Sequence, residues 1–430
     1  MRVVIVGAGV SGLVCAHLLH PEHEVTVIEA EARLGGHTHT VQVEHEGRSI
    51  WVDTGFIVYN RRNYPLFSRL LRELDVPTKD APMTFGIRDD HTGLEYGGEN
   101  FRALFAQKRN ILSPRFLGMI RDILRFNREA PEAAEREPAG TTLGEFLDKH
   151  NYGTAMAEQF LVPMAAAVWS APAKAVREFP LTFFVRFFKN HGMLQTKGRP
   201  QWRTVVGGGR EYVRRLTEPF ADRIVQGDPA MSIERFPGGA RVTTESGAVH
   251  EADAVVLACH TDQALRLLAE PTETECEILG AMPYQMNDVV LHTDVSVLPR
   301  RRAAWSAWNY RKTSDNRQTV AVTYNMTILQ SLGTRVPLLV TLNDTESIDP
   351  AKILGRYAYA HPAYSIPFVE SQARWGEISG HPDNAWGTTH YCGAAWRNGF
   401  HEDGVWSGCR VAQAVARDQH ATLEPLAEGA

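Results

Sequence analysis

Hydrophobic residues at the beginning of the chain predict a strand, a sharp turn, a helix and a second strand. Residues 3–6 form an uninterrupted apolar run, residues 13–19 are largely apolar, and residues 24–28 form another strand-like segment. Short unbroken apolar runs are typical of strands that are buried on both faces of a parallel sheet. This order of elements predicts the opening of an α/β fold with a doubly wound, Rossmann-like domain.

The middle of the chain changes character twice. Residues 64–188 are mainly helical and aromatic in pattern, but the Glu, Pro and Ala content of residues 128–140 predicts a surface loop. Residues 241–248 predict a hairpin, and the apolar residues 254–258 predict another buried strand. The chain is therefore expected to return to the first domain after a helical insertion.

Alternating patterns later in the chain predict an antiparallel sheet that carries substrate contacts. Its strands are expected at residues 289–293, 319–324 and 338–341. Two domains follow from this order of elements. They are a nucleotide-binding domain of residues 1–63, 205–280 and 385–430 and a substrate domain of residues 64–204 and 281–384.

Composition and charge narrow the choice of partners. The chain has 430 residues and a formal net charge of -5, which argues against a nucleic-acid partner because phosphate binding needs a strongly basic domain. The cysteines are scattered, with no Cys-x-x-Cys pair that would indicate a disulfide framework or a zinc ribbon.

No apolar run approaches the roughly 20 residues that cross a bilayer, and no leader segment is recognisable. We expect a cytoplasmic protein.

The glycines between the first strand and the first helix carry the clearest chemistry. Gly7, Gly9 and Gly12 form a G-x-G-x-x-G motif, with Ser11 inside it. Small residues at this turn let backbone N–H groups approach a diphosphate at the helix N-terminus. Glu29 ends the second strand, at the position where an acidic side chain binds the ribose hydroxyls. In this context an ordinary tight turn, with no nucleotide bound, is a poor alternative interpretation of the glycine motif.

A second glycine motif distinguishes FAD from NAD as the cofactor. Gly35 and Gly36 follow the second strand and provide another close backbone approach to the same diphosphate. Arg33 supplies a cation beside it, and His37 completes the motif. The sequence therefore predicts a domain that binds FAD.

The end of a later strand provides the next candidates for cofactor contact. These candidates are Thr54, Gly55 and Phe56, which follow the strand at a position suited to contact with the ribityl chain or the flavin ring. A plain Asx turn formed by Asp53 is the alternative.

Two other motifs are weaker signals. His37 and His39 look like a metal pair, but no carboxylate or cysteine joins them at ligand spacing, so no metal site is predicted. Gly207 and Gly209 suggest a second nucleotide site, but Tyr212 stands where the last glycine is needed, and a structural turn is favoured. Without a recognisable site for NAD(P)H, we expect oxygen or another acceptor to reoxidise the flavin.

Three tyrosines are candidates for the catalytic face of the flavin. Tyr59, Tyr310 and Tyr324 lie in or near predicted strands, and a phenol there orients substrate or accepts a proton through water. Aromatic residues at such positions also serve as ordinary core, which is the alternative for each of them.

Residues 101–128 form a basic amphipathic stretch. A single acid, Asp122, stands among basic residues that are interleaved with Phe, Leu, Ile and Met. Such a surface suits anionic lipid headgroups, and a solvated helix face is an equal alternative. The aromatic residues 183–189 are expected to form core rather than a lipid tunnel. The basic residues are Arg102, Lys108, Arg109, Arg115, Arg121, Arg125 and Arg128.

With both glycine motifs in place, the whole chain resembles the flavin superfamily that includes amine oxidases, protoporphyrinogen oxidase and phytoene desaturases. In that superfamily an adenine-side strand and a C-terminal segment complete the FAD site. The resemblance implies a helix that starts near Gly404 and directs its positive end at the flavin. The further FAD contacts that it implies are Met231, Cys259, Asp403, Gly404, Val405 and Trp406.

Several motifs narrow the resemblance to a bacterial family of FAD oxidoreductases whose genes often accompany cyclopropane-fatty-acid synthase-like methyltransferases. The matching segments are residues 36–40, 56–60 with 63–65, 163–170 and 287–294. A member of that kind is a desaturase of methylated fatty acyl chains on phospholipids in furan fatty acid biosynthesis. The resemblance implies a phospholipid or fatty acyl substrate, peripheral membrane contact and a partner methyltransferase.

The expected reaction transfers a hydride from an activated C–H of the acyl chain to flavin N5, while the neighbouring carbon loses a proton and a double bond forms. Oxidation of a C–N bond, as in amine oxidases, is the alternative reaction. A non-catalytic lipid-binding or assembly protein with structural FAD is the alternative from another class. The acyl substrate, the electron acceptor and the oligomeric state stay open.

Overall fold

The computed structural model describes residues 1–138, 140–169, 173–195, 198–313, 321–381 and 387–417. Parts of the sequence predictions lie outside the described residues. These are residue 139 of the predicted loop, Ser170 of one matching motif, residues 319–320 of a predicted strand, residues 385–386 and 418–430 of the predicted nucleotide-binding domain, and residues 139, 170–172, 196–197, 314–320 and 382–384 of the predicted substrate domain.

The strands occur in two parts of the chain, before residue 100 and after residue 200. The strands are β1 (Arg2–Val6), β2 (Glu24–Glu29), β3 (Thr40–His45), β4 (Arg48–Asp53), β5 (Tyr59–Asn60), β6 (Thr78–Asp80), β7 (Phe85–Asp89), β8 (Leu94–Gly97), β9 (Trp202–Val205), β10 (Ile224–Gln226), β11 (Ala230–Phe236), β12 (Gly239–Thr244), β13 (Val249–Ala252), β14 (Ala254–Leu257), β15 (Tyr284–His292), β16 (Trp308–Lys312), β17 (Ala321–Asn325), β18 (Leu339–Leu342), β19 (Ile353–Pro362) and β20 (Thr389–Tyr391).

Helices dominate between residues 100 and 190. The α-helices are α1 (Val10–Leu19), α2 (Pro65–Glu73), α3 (Phe101–Leu104), α4 (Pro114–Arg136), α5 (Leu143–Lys149), α6 (Thr154–Met156), α7 (Val162–Trp169), α8 (Ala173–Arg177), α9 (Leu181–Asn190), α10 (Arg210–Thr217), α11 (Thr261–Leu267), α12 (Glu273–Gly280), α13 (Met326–Leu329), α14 (Ile366–Ala373) and α15 (His401–Ala416). Among the described residues, no helix combines the length and the apolar character needed to cross a membrane.

A five-stranded parallel sheet forms the nucleotide-binding part of the molecule. Its order is β10-β2-β1-β14-β20, so that β1 pairs with β2 on one side and with β14 on the other. Helices α1 and α15 pack closely, since a β-carbon at Gly408 would lie 2.7 Å from the Ser11 carbonyl oxygen. This mixed α/β architecture is the predicted fold class, and the predicted strands at residues 3–6, 24–28 and 254–258 are confirmed.

A seven-stranded sheet forms the opposite side of the molecule. Its order is β19-β15-β18-β17-β16-β7-β8. The sequence predicted an antiparallel sheet, but β7 and β16 run parallel, with Trp308 opposite Phe85. The long excursion between these two strands leaves enough chain for a parallel crossover, which no local pattern reveals. The predicted hairpin is confirmed as β12 and β13, with Thr243 opposite Val249.

The surface loop predicted at residues 128–140 is wrong over most of its length. Helix α4 continues to Arg136 and contains Pro131. Ala130 is fully buried, and Ala133 packs against the same core. Tertiary packing and the good helix propensity of Ala, Glu and Arg outweigh the cost of one proline, which explains the error.

Helix α9 lies between α4 and the interior of the molecule. Phe183, Phe184 and Phe188 are buried in the core, as predicted for this segment. The ring of Phe184 lies 6.4 Å from that of Phe126 on α4. Phe187 is buried in the same core and, in addition, lines a cavity. The boundaries of the two predicted domains stay a prediction.

Candidate functional site

A cavity of about 740 Å³ extends from the carboxyl ends of β1, β2 and β14 to the seven-stranded sheet and helices α7 and α9. Ligands of doubly wound sheets bind at these carboxyl ends. We call the part lined by the glycine motifs, Glu29, Arg33 and Cys259 the nucleotide end. We call the opposite part the apolar end. The apolar end is lined by Ile57, Val58, Met83, Val168, Trp169, Phe187, Met193, Trp202, Trp308 and Tyr324.

Glycines of both motifs line the nucleotide end. Gly7, Gly9 and Ser11 lie at the start of α1, and Gly35 and Gly36 lie opposite them. A β-carbon at Gly9 would meet no heavy atom within 4 Å, so its Cα faces open space. This backbone surface has the open approach that a diphosphate needs.

Gly12 has a different role from the other motif glycines. It does not line the cavity, and a β-carbon there would lie 2.1 Å from the Gly7 carbonyl oxygen. Gly12 therefore permits the tight packing of the turn against α1. Its contribution to cofactor contact is indirect.

Glu29 and Arg33 are held by backbone groups. The Glu29 carboxylate accepts hydrogen bonds from the N–H groups of Ala8 at 2.7 Å and Glu31 at 2.9 Å. Arg33 donates to the Gly36 carbonyl at 2.6 Å and pairs with Glu31 at 2.9 Å. Arg33 therefore organises the glycine turn, in addition to lining the cavity.

The middle of the cavity is lined by His37, Gly55 and Phe56, whereas Thr54 lies behind them. The Thr54 hydroxyl contacts the Tyr359 hydroxyl at 2.7 Å and donates to the His39 carbonyl at 3.1 Å. Thr54 therefore supports the wall from outside the cavity.

His401 is a lining residue that the sequence did not indicate. Its ring stacks on Phe56 with 3.5 Å between centroids. Its Nε2 lies 2.9 Å from the Thr38 hydroxyl and 2.8 Å from the Tyr212 hydroxyl. Burial lowers the pKa of His401 well below its usual value, so this imidazole is neutral.

Helix α15 begins at His401 and not near Gly404 as predicted. The Asp403 carboxylate accepts a hydrogen bond from the Phe400 N–H at 3.0 Å and caps the first turn, which explains the earlier start. Burial raises the pKa of Asp403 to about 6.

The residues that line the cavity at this helix are its first residue and the three residues before it. They are residues 398–401, while Asp403, Gly404, Val405 and Trp406 lie outside the cavity wall. The positive end of the helix still faces the cavity.

Cys259 and Met231 are placed differently. Cys259 lines the nucleotide end, and burial raises its pKa to about 12, so it is a neutral thiol. The Met231 residue is 57% exposed, and its neighbour Ala230 lines the cavity instead.

The three candidate tyrosines do not come together. Tyr324 lines the apolar end, and its hydroxyl donates to the Ala167 carbonyl at 3.3 Å. Tyr310 lies two residues beyond Trp308 on β16 and is buried away from the cavity. Tyr59 is buried against the rings of Tyr64 and Phe67. Only Tyr324 is positioned to contact a bound molecule.

The apolar end combines residues from distant parts of the chain. The rings of Trp169 and Phe187 lie 4.7 Å apart, and that of Phe187 lies 4.9 Å from Phe400. Trp308 packs edge-on against Tyr324 at 5.1 Å. Trp169 falls in the matching segment 163–170 and Tyr324 was a candidate from the sequence, but no local pattern shows that these residues become neighbours, because only the fold brings them together.

Charge is confined to one end of the cavity. Among its described lining residues, the Asp, Glu, Lys and Arg side chains are Glu29, Glu31, Arg33 and Arg266, which line the nucleotide end. Within the described part of the chain, no group of three or more His, Cys, Asp or Glu could hold a metal ion. The apolar end is thus walled by neutral side chains.

The glycine turn at Gly207 and Gly209 packs against the small β3-β4 sheet. The Gly209 N–H donates to the Asp53 carboxylate at 2.9 Å, and a β-carbon at Gly208 would lie 2.4 Å from Thr40 Cγ2. These contacts give the turn a packing role. The geometry matches the structural turn favoured from the sequence.

The chain is similar to flavin-dependent amine oxidases. The family described as flavin containing amine oxidoreductase matches residues 10–327. The flavin-containing amine oxidase B of Bos taurus is 27% identical over 271 residues, which are 60% of this chain and 49% of the bovine protein. The chain therefore spans about half the length of this relative.

Two solved structures share the fold. Cyclohexylamine oxidase from Brevibacterium oxydans has a TM-score of 0.69 and 16% identity, covering 97% of this chain and 98% of that chain. A CLA-producing fatty acid isomerase from P. acnes has a TM-score of 0.66 and 14% identity, again covering 97% and 98%. At such identities the likeness concerns the fold alone.

Proposed function

The chain belongs to the family of flavin-containing amine oxidoreductases and uses FAD, and we propose that it desaturates the fatty acyl chain of a phospholipid. The observation that carries this proposal is the apolar end of the cavity, where aromatic, methionine and aliphatic side chains form the wall. An acyl chain has no charge to satisfy and gains about 0.8 kcal/mol for each CH₂ removed from water. Such a wall therefore favours an acyl chain.

The residues at the nucleotide end fit the diphosphate and ribose of FAD. The open backbone at Gly9 would hold the diphosphate, and the Glu29 carboxylate would accept hydrogen bonds from ribose. His401 and the positive end of α15 would lie at the flavin. Bound FAD supplies a two-electron acceptor for the reaction.

The chain itself supplies orientation and a dry environment. Trp169, Phe187 and Trp308 would hold the acyl chain and exclude water. Tyr324 is the tyrosine proposed to contact the reacting carbons, since its hydroxyl could pass a proton to water. Tyr59 and Tyr310 would act only through packing.

Oxidation of an amine is the second candidate. The similarity to the amine oxidase B of Bos taurus favours it. An amine substrate in its protonated form would need a carboxylate or a polar cage, whereas the described apolar end has no Asp or Glu. We therefore rank amine oxidation below acyl desaturation.

Anaerobic reduction of the bound flavin separates these candidates. Purified protein is mixed without oxygen with phospholipids that carry methyl-branched acyl chains, or with aliphatic and aromatic amines, and the flavin absorbance is followed. We expect bleaching with the lipids and a product that is lighter by two hydrogens in mass spectrometry. Bleaching with amines alone would favour amine oxidation, and flavin that stays oxidised with every compound would favour a non-catalytic lipid-binding or assembly protein.

The electron acceptor is proposed to be oxygen or another small oxidant. The turn at Gly207, considered above as a second nucleotide site, is filled by protein contacts. We therefore expect NADPH alone to leave the flavin oxidised over the time of one lipid turnover. Rapid bleaching by NADPH would contradict this proposal and indicate a reductase.

We propose that residues 101–128 bring the protein to an anionic membrane. We call this stretch the basic surface. Phe101 and Leu112 are 81% and 85% exposed, and they stand beside the basic residues named above. Exposed apolar side chains with basic neighbours insert between anionic headgroups, and each cation near such a surface contributes about 1 kcal/mol.

The basic surface is connected to the cavity through one helix. Phe126 of α4 packs against Phe184 of α9, and Phe187 of the same helix lines the apolar end. Residues 101–128 therefore lie one packed helix away from the apolar end, and an acyl chain could pass this way only if the buried rings of Phe126 and Phe184 moved apart. A partner methyltransferase that modifies the same lipid would meet this protein at the same membrane.

Binding to vesicles tests the basic surface. Lys108, Arg115 and Arg121 are exposed and are replaced together by Glu, whereas Arg125 is spared because it donates to the His150 carbonyl at 2.8 Å. We expect the variant to lose binding to anionic vesicles and to keep its FAD. The control variant carries Glu at the exposed Arg214, Arg241 and Arg335. Equal vesicle binding by both variants would remove the membrane proposal.

A further inference from the structure

Three imidazoles that no cofactor motif includes as a group meet on one wall of the cavity. The ring of His37 lies 5.8 Å from that of His260 and 5.5 Å from that of His361. All three residues line the cavity. They come from separate elements, since His37 follows the second glycine motif, His260 precedes α11, and His361 lies on β19.

The imidazoles are fixed in place by their surroundings. His37 Nε2 donates to the Ala360 carbonyl at 3.0 Å, which orients the ring and leaves its Nδ1 unprotonated in the neutral form. His260 stacks on Tyr284 with 4.2 Å between centroids. Two of the three rings are therefore held by contacts outside the cluster, and the third packs on His37.

The cluster is continuous with the glycine cradle. His37 directly follows Gly36, where a β-carbon would lie 3.1 Å from the Gly9 Cα. A dinucleotide that lies across Gly9 and Gly36 would therefore lie close to His37, whose ring contacts those of His260 and His361. A diphosphate carries two negative charges at neutral pH, and charges of opposite sign within several ångströms favour protonation of histidine.

Without a bound anion, the cluster is neutral. Burial lowers the pKa of His260 to about 4 and that of His361 to about 3, and it also lowers the pKa of His37. Mutual repulsion between the three rings acts in the same direction. The other titratable groups that face the cluster include Glu31, Arg33, Asp262, Arg266, Tyr284, Tyr359 and His401.

We propose that His37, His260 and His361 form a proton-accepting site for the diphosphate of FAD, so that FAD binding takes up a proton and becomes tighter as the pH falls. This proposal concerns recognition of the cofactor and is independent of the acyl substrate. Like-charge repulsion limits the uptake to about one proton for the three rings.

The sign of the pH dependence follows from linkage. A group whose pKa rises on binding adds affinity as the pH falls through its pKa in the complex. The gain ends below its pKa in the free protein, which is near 3 to 4 for His361 and His260. Between these limits, each proton taken up changes the dissociation constant by about tenfold per pH unit.

Titration of the apoprotein with FAD tests the proposal. Flavin fluorescence gives the dissociation constant between pH 8 and pH 5.5, and calorimetry in buffers of different ionisation enthalpy gives the number of protons taken up. We expect uptake of about one proton near pH 6 and affinity that rises by up to about tenfold per pH unit. A dissociation constant that is independent of pH, with no proton uptake, would overturn the proposal.

Variants assign the proton to the cluster. His260→Gln and His361→Gln should each reduce the proton uptake and flatten the pH dependence, whereas His20→Gln, a half-buried histidine away from the cavity, should change neither. Unchanged uptake in both cluster variants would assign the proton to other groups, such as Asp403, and overturn the proposal. The wild-type measurement stands without the variants if one of them fails to fold. Apoprotein that binds no FAD at any pH would instead contradict the cofactor assignment itself, and this proposal with it.

Discussion

The nucleotide end of the cavity is formed largely by backbone, whereas the apolar end is formed by side chains. Gly7, Gly9, Gly35 and Gly36 lie within a short stretch near the start of the chain. The apolar end takes residues from position 57 to position 324. A backbone surface requires glycine at particular positions, so it leaves a motif in the sequence. A side-chain surface requires only side chains of suitable shape and polarity, and many residue types meet that requirement.

The two ends also differ in charge. Glu29, Glu31, Arg33 and Arg266 line the nucleotide end, where a charged cofactor needs partners. The described wall of the apolar end lacks ionised side chains, so that a charge there would be desolvated without compensation. Substitutions should therefore separate cofactor binding from substrate turnover.

Gly9→Leu is expected to have the largest effect. The new side chain would project into the open space at Gly9, where no protein atom lies within 4 Å, and would block the diphosphate while leaving the fold intact. FAD binding should weaken by at least about a hundredfold, because the close backbone approach is lost. The measurement is the FAD content of purified protein, with circular dichroism as the test of folding.

Gly118→Leu is the matched control, because a β-carbon at Gly118 on α4 also meets no atom within 4 Å. It should keep its FAD. Full FAD content in Gly9→Leu would show that the diphosphate does not lie across this glycine.

Met193→Glu should abolish most lipid turnover and spare FAD binding. Met193 lines the apolar end, and a carboxylate against an acyl chain costs several kcal/mol, or about a hundredfold or more in turnover. The measurement is the rate of anaerobic flavin reduction by lipid. Met193→Leu is the control and should retain the rate, and a Glu variant as active as wild type would contradict the placement of the acyl chain.

Glu29→Gln should weaken FAD binding by about tenfold, or about 1.4 kcal/mol, because a charge-assisted hydrogen bond to ribose is lost. The amide retains an oxygen that accepts from the Ala8 or Glu31 N–H, so the turn should stay folded. Titration of the apoprotein with FAD measures the effect. An unchanged dissociation constant would mean that Glu29 serves only the turn.

Tyr324→Phe should have the smallest effect, a reduction of up to about tenfold in the rate of flavin reduction with unchanged FAD content. The ring would keep its packing on Trp308, and only the hydroxyl that donates to Ala167 would be removed. Tyr310→Phe should leave the rate unchanged because Tyr310 lies outside the cavity wall. A larger loss in Tyr310→Phe than in Tyr324→Phe would reverse the assignment.

The errors in the sequence predictions share a physical cause. The segment at residues 128–140 has the composition of a loop, yet Ala130 packs into the core and extends α4 to Arg136. The start of α15 was predicted near Gly404, but Asp403 caps a helix that begins at His401 and so places Phe400 and His401 at the cavity. In both cases tertiary contacts determined where a helix begins or ends.

The sequence by itself determined the parallel sheet, the glycine cradle and FAD as the cofactor, since local backbone conformation requires glycine and buried strands require apolar runs. Only the tertiary structure decided which side chains face the cavity. Tyr324 and Tyr310 lie in adjacent strands, yet one lines the cavity and the other is packed away from it. The meeting of His37, His260 and His361 likewise depends on three distant segments. Such neighbours leave no periodic pattern, because their proximity is set by the packing of whole elements.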